Sequence, residues 1–278
     1  MKKTKLNFLK YPGSKIRFIE TINNEINSQR YLVDTYVEPF LGSGSVFLNI
    51  PFKFKKYILS DIDENVIKLW NIFKYKYDDL ILFYKINFLK YGNPGNKKDV
   101  YYKIRNELNK KYFNTYLKEE SFFLYFISKC AINSMFRVGP NGFNQGWGNR
   151  GNKVSLSRND FEIIQNKFLS NNLNILHQNF FDLYESQYDI LNNKKSLLFL
   201  DPPYTELSYG YRLEKTFNKD VFLNIINNLN SKIIYTDVYS KDIIKKLNWR
   251  IVSLRKMNNI APNSKKHSTK EEVMYINF

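Results

Sequence analysis

Apolar and polar positions along this chain follow two alternating rhythms. Short apolar-rich runs that read as strands occur at Tyr36-Val37, Tyr57-Ile58-Leu59, Leu173-Asn174-Ile175-Leu176, Leu197-Leu198-Phe199-Leu200 and Lys232-Ile233-Ile234-Tyr235-Thr236, and the four consecutive apolar residues Leu197 to Leu200 are of the kind buried on both faces. Around them the period lengthens to that of an amphipathic helix: from Ile16 to about Ile26, through Val66-Ile67-Leu69-Trp70-Ile72-Phe73, and from about Val221 to Leu229. Strand alternating with helix predicts an α/β fold. From about Asn71 to Asn159 the rhythm lapses, and helical patterns dominate over Leu80 to Leu89, Val100 to Leu108 and Phe122 to Ala131. The pattern therefore divides the chain into a core, residues 1–70 and 160–278, and an inserted lobe, residues 71–159. Ile251-Val252-Ser253-Leu254 and Val273-Met274-Tyr275-Ile276 close the chain as two strands, joined by a loop through the basic Lys265-Lys266-His267-Ser268-Thr269-Lys270. There is no internal repeat and no low-complexity linker.

Several of the strands end in acids. Leu197 to Leu200 is stopped by Asp201-Pro202-Pro203-Tyr204, because two prolines remove two backbone donors and fix φ. An acid in a rigid turn, followed by an aromatic ring, stands where open α/β sheets bind ligands. Taken alone, Asp-Pro-Pro is equally a capped surface turn. Earlier, Val37-Glu38-Pro39-Phe40-Leu41-Gly42-Ser43-Gly44-Ser45-Val46-Phe47-Leu48 has the order strand, glycine loop, helix, but Phe47 replaces the third glycine of a dinucleotide fingerprint. Two glycines still let a backbone approach a ligand at a helix N-terminus, where free amides favour a carboxylate. The amino-acid end of S-adenosylmethionine carries one, and its sulfonium charge suits a nearby acid such as Glu38. Asp61 ends the next strand about 20 residues on, the position that binds ribose hydroxyls in nucleotide-binding α/β folds. Asp63 then falls at the N-cap of the following helix.

Two further stretches carry candidate chemistry. Lys10-Tyr11-Pro12-Gly13-Ser14-Lys15 is a turn with two lysines about a ring, able to meet a carboxylate or phosphate. Residues 137–150, bounded by Arg137 and Arg150, are punctuated by glycine, and Asn141-Gly142 is a strong hairpin signal. Such a hairpin offers Asn141 and Asn144 for base edges, Phe143 and Trp147 as wedges, and arginines for guanine or phosphate.

Composition narrows the classes. Forty-three Lys and Arg against 26 Asp and Glu leave a net charge of +17, which points to a polyanionic partner, nucleic acid first; a solvated basic surface is the plain alternative. The single cysteine, Cys130, excludes an internal disulfide and a cysteine-cluster zinc site, and two histidines, His177 and His267, disfavour a His-based metal centre or triad. No apolar run reaches the ~18 residues of a membrane span, and no signal-type core follows Met1. The expectation is a cytoplasmic, metal-free protein, with no membrane partner.

Taken in this order, the segments from Lys10 to about Asn277 resemble the Dam-type, or D12 class, DNA adenine-N6 methyltransferases. The resemblance rests on Lys10 to Lys15, Val37 to Leu48, Ser60-Asp61-Ile62-Asp63, the 137–150 hairpin, Asp201-Pro202-Pro203-Tyr204 and the Lys-rich segment before Glu272. It implies a doubly wound, mostly parallel seven-stranded methyltransferase sheet with an inserted, mainly helical target-recognition lobe. It implies S-adenosylmethionine as cofactor, S-adenosylhomocysteine as product, double-stranded DNA as partner and a monomer in solution. Asp201 and the Pro202 carbonyl would accept from the two N6 protons of a flipped-out adenine, Pro203 would keep the turn rigid, and Tyr204 would stack on the base. Tyr11, Lys15, Glu38, Phe40, Gly42, Gly44 and Asp61 would hold the cofactor, and Phe180 would pack by its adenine. Asn179 stands where the family often has Asp, its amide oxygen still an acceptor for the cofactor's exocyclic amine. Lys10, Arg137, Asn141, Phe143, Asn144, Trp147 and Arg150 would contact DNA, although Val138 replaces an aromatic residue common in Dam-type enzymes. Amino-group methylation of guanine N2 in ribosomal RNA, or of protein glutamine, uses related motifs and is the enzymatic alternative. A catalytically dead DNA-binding module is the alternative of another class.

Overall fold

A computed structural model describes residues 5–11, 13–111, 117–134, 136–139, 141–149, 157–170, 172–203, 217–258 and 269–278. A 3-10 turn, Lys15–Phe18, leads into α1 (Ile19–Ser28), followed by β1 (Thr35–Glu38), α2 (Ser45–Asn49), β2 (Lys56–Asp61) and α3 (Glu64–Trp70). Next come α4 (Tyr77–Tyr91), α5 (Lys98–Lys111), α6 (Leu117–Cys130), the short strands β3 (Val138–Gly139) and β4 (Gly142–Phe143), and α7 (Arg158–Phe168). The chain continues through β5 (Leu173–His177), α8 (Phe180–Ser186), α9 (Tyr188–Leu191), β6 (Ser196–Leu200), α10 (Lys219–Asn227), β7 (Lys232–Val238), α11 (Lys241–Leu247), β8 (Arg250–Asn258) and β9 (Thr269–Ile276). Tyr204, Arg150 and His267, named above, lie outside the described residues.

The chain divides into two compact units. One, residues 18–41, 50–62 and 174–278, carries a seven-stranded sheet in the order β5-β2-β1-β6-β7-β9-β8. β1 is parallel to both β2 and β6, and β6 is parallel to β7; β9 then runs antiparallel to β7 and to β8. This is the mostly parallel seven-stranded sheet expected from the resemblance. Strand order reverses between β1 and β6, so the chain winds outward through β2 and returns to start again at β6. All five residues of β6 are buried, which explains its unbroken apolar run. Alternate strand residues, among them Val37, Ile58, Leu198, Leu200, Ile233 and Tyr235, pack on one side against apolar residues of α8 to α11 such as Leu183, Leu191, Phe222 and Ile243. Each such side chain contributes roughly 1.5–3 kcal/mol by leaving water.

The other unit, residues 1–17, 42–49 and 63–173, contains α3 to α7, the hairpin and the glycine loop. Its core is aromatic: Phe8 meets Trp70 edge-on with ring centroids 4.7 Å apart and Phe73 at 5.1 Å, and Phe73 meets Phe161 at 5.1 Å. A buried ion pair, Lys68 to Glu120 at 3.1 Å, joins α3 to α6. α4, α5 and α6 extend the three helices expected from periodicity. α7 escaped that pattern; Ser157 caps it by accepting from the Asp160 amide at 3.1 Å, and Phe161 and Ile164 bury its inner face.

Candidate active site

In the sheet-bearing unit, three acids stand at the carboxyl ends of the neighbouring strands β2, β1 and β6. The parallel register sets Leu200 against Tyr235, which brings Asp201 beside Thr236. The Thr236 hydroxyl donates to Asp201 Oδ1 at 2.6 Å and lies 3.3 Å from the Leu200 carbonyl oxygen. Pro202 is buried and Pro203 exposed, so the turn is packed on one side and open on the other. Glu38, at the end of β1, is 3% exposed and accepts from the Tyr36 hydroxyl at 2.8 Å. Burial, and then the Glu38 charge, hold the Tyr36 hydroxyl well above its ordinary pKa, so it stays a donor. Asp61 is also buried at the end of β2. The Leu41 amide donates to the Ser60 carbonyl at 2.9 Å and the Ser60 hydroxyl reaches the Pro39 carbonyl at 3.4 Å, so the segments after β1 and beside Asp61 are tied together. Strands lie about 4.8 Å apart, and acids at adjacent ends concentrate negative potential that favours a cationic ligand.

At the next strand end Asn179 and Phe180 both have partners within the chain. Asn179 caps α8: its Oδ1 accepts from the amides of Phe181 at 2.8 Å and Asp182 at 3.0 Å, while its Nδ2 donates to Asp182 at 2.7 Å. That oxygen is committed to the helix start rather than held out to a cofactor amine. Phe180 is 1% exposed, packed 4.8 Å from Phe222, and has no open face for a base. Phe40 is only partly buried and lies nearly parallel to Phe180, ring centroids 5.9 Å and planes 12° apart. Phe180 thus supports the partly buried Phe40 ring. His177 is a structural residue, its Nε2 lying 3.1 Å from the Ile62 carbonyl oxygen.

In the other unit the Lys10 to Lys15 turn closes on the glycine loop. Gly42 and Gly44 have φ of +47° and +59°, a region that penalises any other residue. The Tyr11 ring covers Gly42 so closely that an added Cβ would lie 3.1 Å from it. The Ser14 hydroxyl accepts from Ser43 at 3.3 Å, the Lys15 amide donates to the Ser45 hydroxyl at 3.2 Å, and the Trp70 indole donates to the Gly42 carbonyl at 3.1 Å. Lys15 is 3% exposed, and its ammonium donates to the Gly13 carbonyl at 2.9 Å. Tyr11, Lys15, Gly42 and Gly44, separated in sequence, are therefore brought together.

The segment does form a hairpin. Val138 pairs antiparallel with Phe143 and Gly139 with Gly142, so Gly142 opens β4 rather than lying in the turn. Phe143, expected as a wedge, is 1% exposed; its amide donates to Asn109 Oδ1 at 2.9 Å and its carbonyl accepts from Asn109 Nδ2 at 3.0 Å. Trp147 donates its indole proton to the Pro94 carbonyl at 2.8 Å, and bridges to Ala131. Both residues anchor the segment, because backbone groups crossing a helix surface need partners. Gly148 is required there, since a Cβ would lie 2.3 Å from the Ala131 carbonyl oxygen. Arg137, Asn141 and Asn144 remain exposed, as does Lys10, whose carbonyl accepts from the Phe136 amide at 3.2 Å beside Arg137. Lys129 donates to the Phe8 carbonyl, and desolvation followed by the Lys10 charge draws its pKa down to about 8. Burial pushes the neighbouring Cys130 thiol up to about 12, so it offers no thiolate for covalent catalysis.

The model of the D12 class N6 adenine-specific DNA methyltransferases matches residues 11–245. The chain belongs to this family. It is similar to a type II methyltransferase, M.MjaIII, of Methanocaldococcus jannaschii, 26% identical over 98% of each chain. It is also similar to the DNA adenine methylase of Escherichia coli strain K12, 32% identical over 75% of this chain and 68% of that one, and to the one of Salmonella typhi at 31% over the same shares. As a D12 member the chain is an enzyme, a DNA adenine-N6 methyltransferase.

A D12 site built this way holds one residue that no motif marked. Thr236 sits in the middle of an apolar strand, where a β-branched residue is unremarkable in sequence, and only the β6–β7 register shows what its hydroxyl touches. The Asn179 cap was within reach of the sequence, since Asn followed three residues later by Asp is a capping pattern.

Proposed function

We propose that this D12 enzyme holds S-adenosylmethionine at the carboxyl edge of its sheet and methylates N6 of an adenine flipped out of duplex DNA onto Asp201. The observation that carries the reading is the carboxylate of Asp201, fixed at the end of a buried strand and neighboured by the acids of β1 and β2. Within the sheet-bearing unit the residues fit the cofactor's chemistry: buried Glu38 suits a cationic centre, Asp61 suits ribose hydroxyls and Phe40 suits a flat ring; the resemblance to D12 enzymes supports giving the amino-acid end to Tyr11, Lys15, Gly42 and Gly44. When bound, S-adenosylmethionine supplies an electrophilic methyl on a sulfonium and leaves as S-adenosylhomocysteine.

Asp201 accepts a hydrogen bond from the adenine amino group, and the Pro202 carbonyl accepts from its second proton. Both bonds favour tetrahedral character at N6 and aim its lone pair, otherwise delocalised into the ring. Orientation and electrostatics supply the acceleration, with no covalent enzyme intermediate. Tyr204 follows directly in sequence and is proposed to stack on the extruded base. Lys10, Arg137, Asn141, Asn144 and Arg150, in the lobe of residues 71–159 and the turn before it, are proposed to read the duplex, aided by the net charge of +17. Similarity to a type II methyltransferase along 98% of both chains supports a role in restriction-modification.

Tritium transfer from labelled S-adenosylmethionine, offered duplex DNA, ribosomal RNA and protein side by side, tests the proposal. Label on duplex DNA alone is expected. Label confined to RNA or protein would show a different amino-group methylase.

A further inference from the structure

Asp201 is the first residue beyond β6 and is followed by two prolines, so the orientation of its side chain is set by groups packed around the strand end. Thr236 is one of them. It is fully buried in β7, and pairing of β7 with β6 on one side and of Thr236 with Met274 of β9 on the other fixes its backbone. β-branching restricts χ1, which pins the hydroxyl in turn. Its single proton has two acceptors in reach, the Asp201 carboxylate at 2.6 Å and the Leu200 carbonyl at 3.3 Å, and the short charged contact takes it. Valine would suit the strand as well, and a buried hydroxyl is costly unless it is used. The end of β7 is held too: Asp237, just beyond Thr236, accepts from the Val238 amide at 2.6 Å and pairs with Lys219 of α10 at 2.8 Å.

We infer that Thr236 is a positioning residue for methyl transfer, its hydroxyl holding the Asp201 carboxylate in the one orientation from which it accepts from the adenine amino group. This rests on the role proposed for Asp201. Thr236→Val removes the donor at nearly constant shape, Thr236→Ala removes it with a smaller side chain, and Thr236→Ser keeps it. Steady-state kinetics on duplex DNA, with thermal melting of each variant, separates the possibilities. Loss of a hydrogen bond to a charged group is expected to lower kcat by on the order of ten- to a hundredfold in both Val and Ala variants. KM for DNA and for S-adenosylmethionine should stay within about threefold, and Thr236→Ser should keep kcat within about threefold of wild type. Full activity in Val or Ala, a loss expressed in KM alone, or a Ser variant as slow as Val would each overturn the inference. An active Asp201→Ala enzyme would instead refute the role of Asp201 itself.

Discussion

Phe143 and Asn144 are adjacent in the hairpin, yet the first is buried and the second exposed, and exchanging each for alanine separates a packing role from the reading role proposed for Asn144. Phe143 is 1% exposed and packs 5.9 Å from the Phe136 ring. Deleting such a ring costs about 3–5 kcal/mol, transfer and cavity together. Its backbone also depends on Asn109, whose side chain both accepts from and donates to it. Asn109→Ala leaves an amide and a carbonyl without those partners, at about 1–3 kcal/mol. The two losses share one contact and will not simply add. Asn144 is exposed, and its replacement should change stability by no more than about 0.5 kcal/mol. Urea unfolding read by fluorescence gives the stabilities, and sequencing that detects N6-methyladenine in a random-site duplex library gives the preference. Phe143→Ala and Asn109→Ala should lower the unfolding midpoint and keep the preferred sequence in whatever fraction stays folded. Asn144→Ala should keep the midpoint and relax the preference. A Phe143→Ala enzyme of normal stability with a changed preference would refute the assignment.

Gly42→Ala should weaken S-adenosylmethionine binding measured by calorimetry, because a side chain at φ +47° costs about 1–2 kcal/mol and displaces the Tyr11 ring; unchanged affinity would remove this loop from the cofactor site. Lys129 and Cys130 should oppose each other in alkali. With the Lys129 pKa lowered to about 8, the unfolded chain binds more protons above that pH, so stability rises from pH 8 to 9.5 by about 1–1.5 kcal/mol. With Cys130 raised to about 12, the unfolded thiol ionises first and stability falls over the same interval. The rise should therefore appear in Cys130→Ala and vanish in Cys130→Ala with Lys129→Met, by urea titration at each pH; identical profiles would contradict the Lys129 environment. DNA affinity should fall steeply with salt, and Lys10→Ala should reduce the log–log slope by about 0.9, whereas an unchanged slope would place Lys10 away from phosphate.

The middle of the sheet was legible because Tyr57 to Leu59 and Leu197 to Leu200 are short unbroken apolar runs that lead into acids, the second before Asp201-Pro202-Pro203 being the plainest case. Asp63 was recognisable as a cap, and its carboxylate does accept from the Asn65 amide at 2.9 Å. Contacts with partners distant in sequence were not legible. Phe143 and Trp147 have the right chemistry for a base stack, and nothing local reveals that Asn109 and Pro94 already engage them. Phe180 was expected against the cofactor, but Phe222, 42 positions on in the chain, completes its burial. Thr236 meets Asp201 across a strand pairing between segments 35 positions apart. α7 was missed because its apolar face is narrow: Phe161 and Ile164 are its buried residues, Phe168 is partly buried against Trp70, and the rest are polar or exposed.

The most direct test of the account is nucleoside mass spectrometry of DNA from a methylation-free host expressing either the wild-type chain or Asp201→Ala. Wild type should yield N6-methyladenine and no methylated cytosine, and the Asp201→Ala protein, still binding duplex DNA, should yield none. Methylated cytosine, or N6-methyladenine undiminished by Asp201→Ala, would contradict the mechanism at its centre.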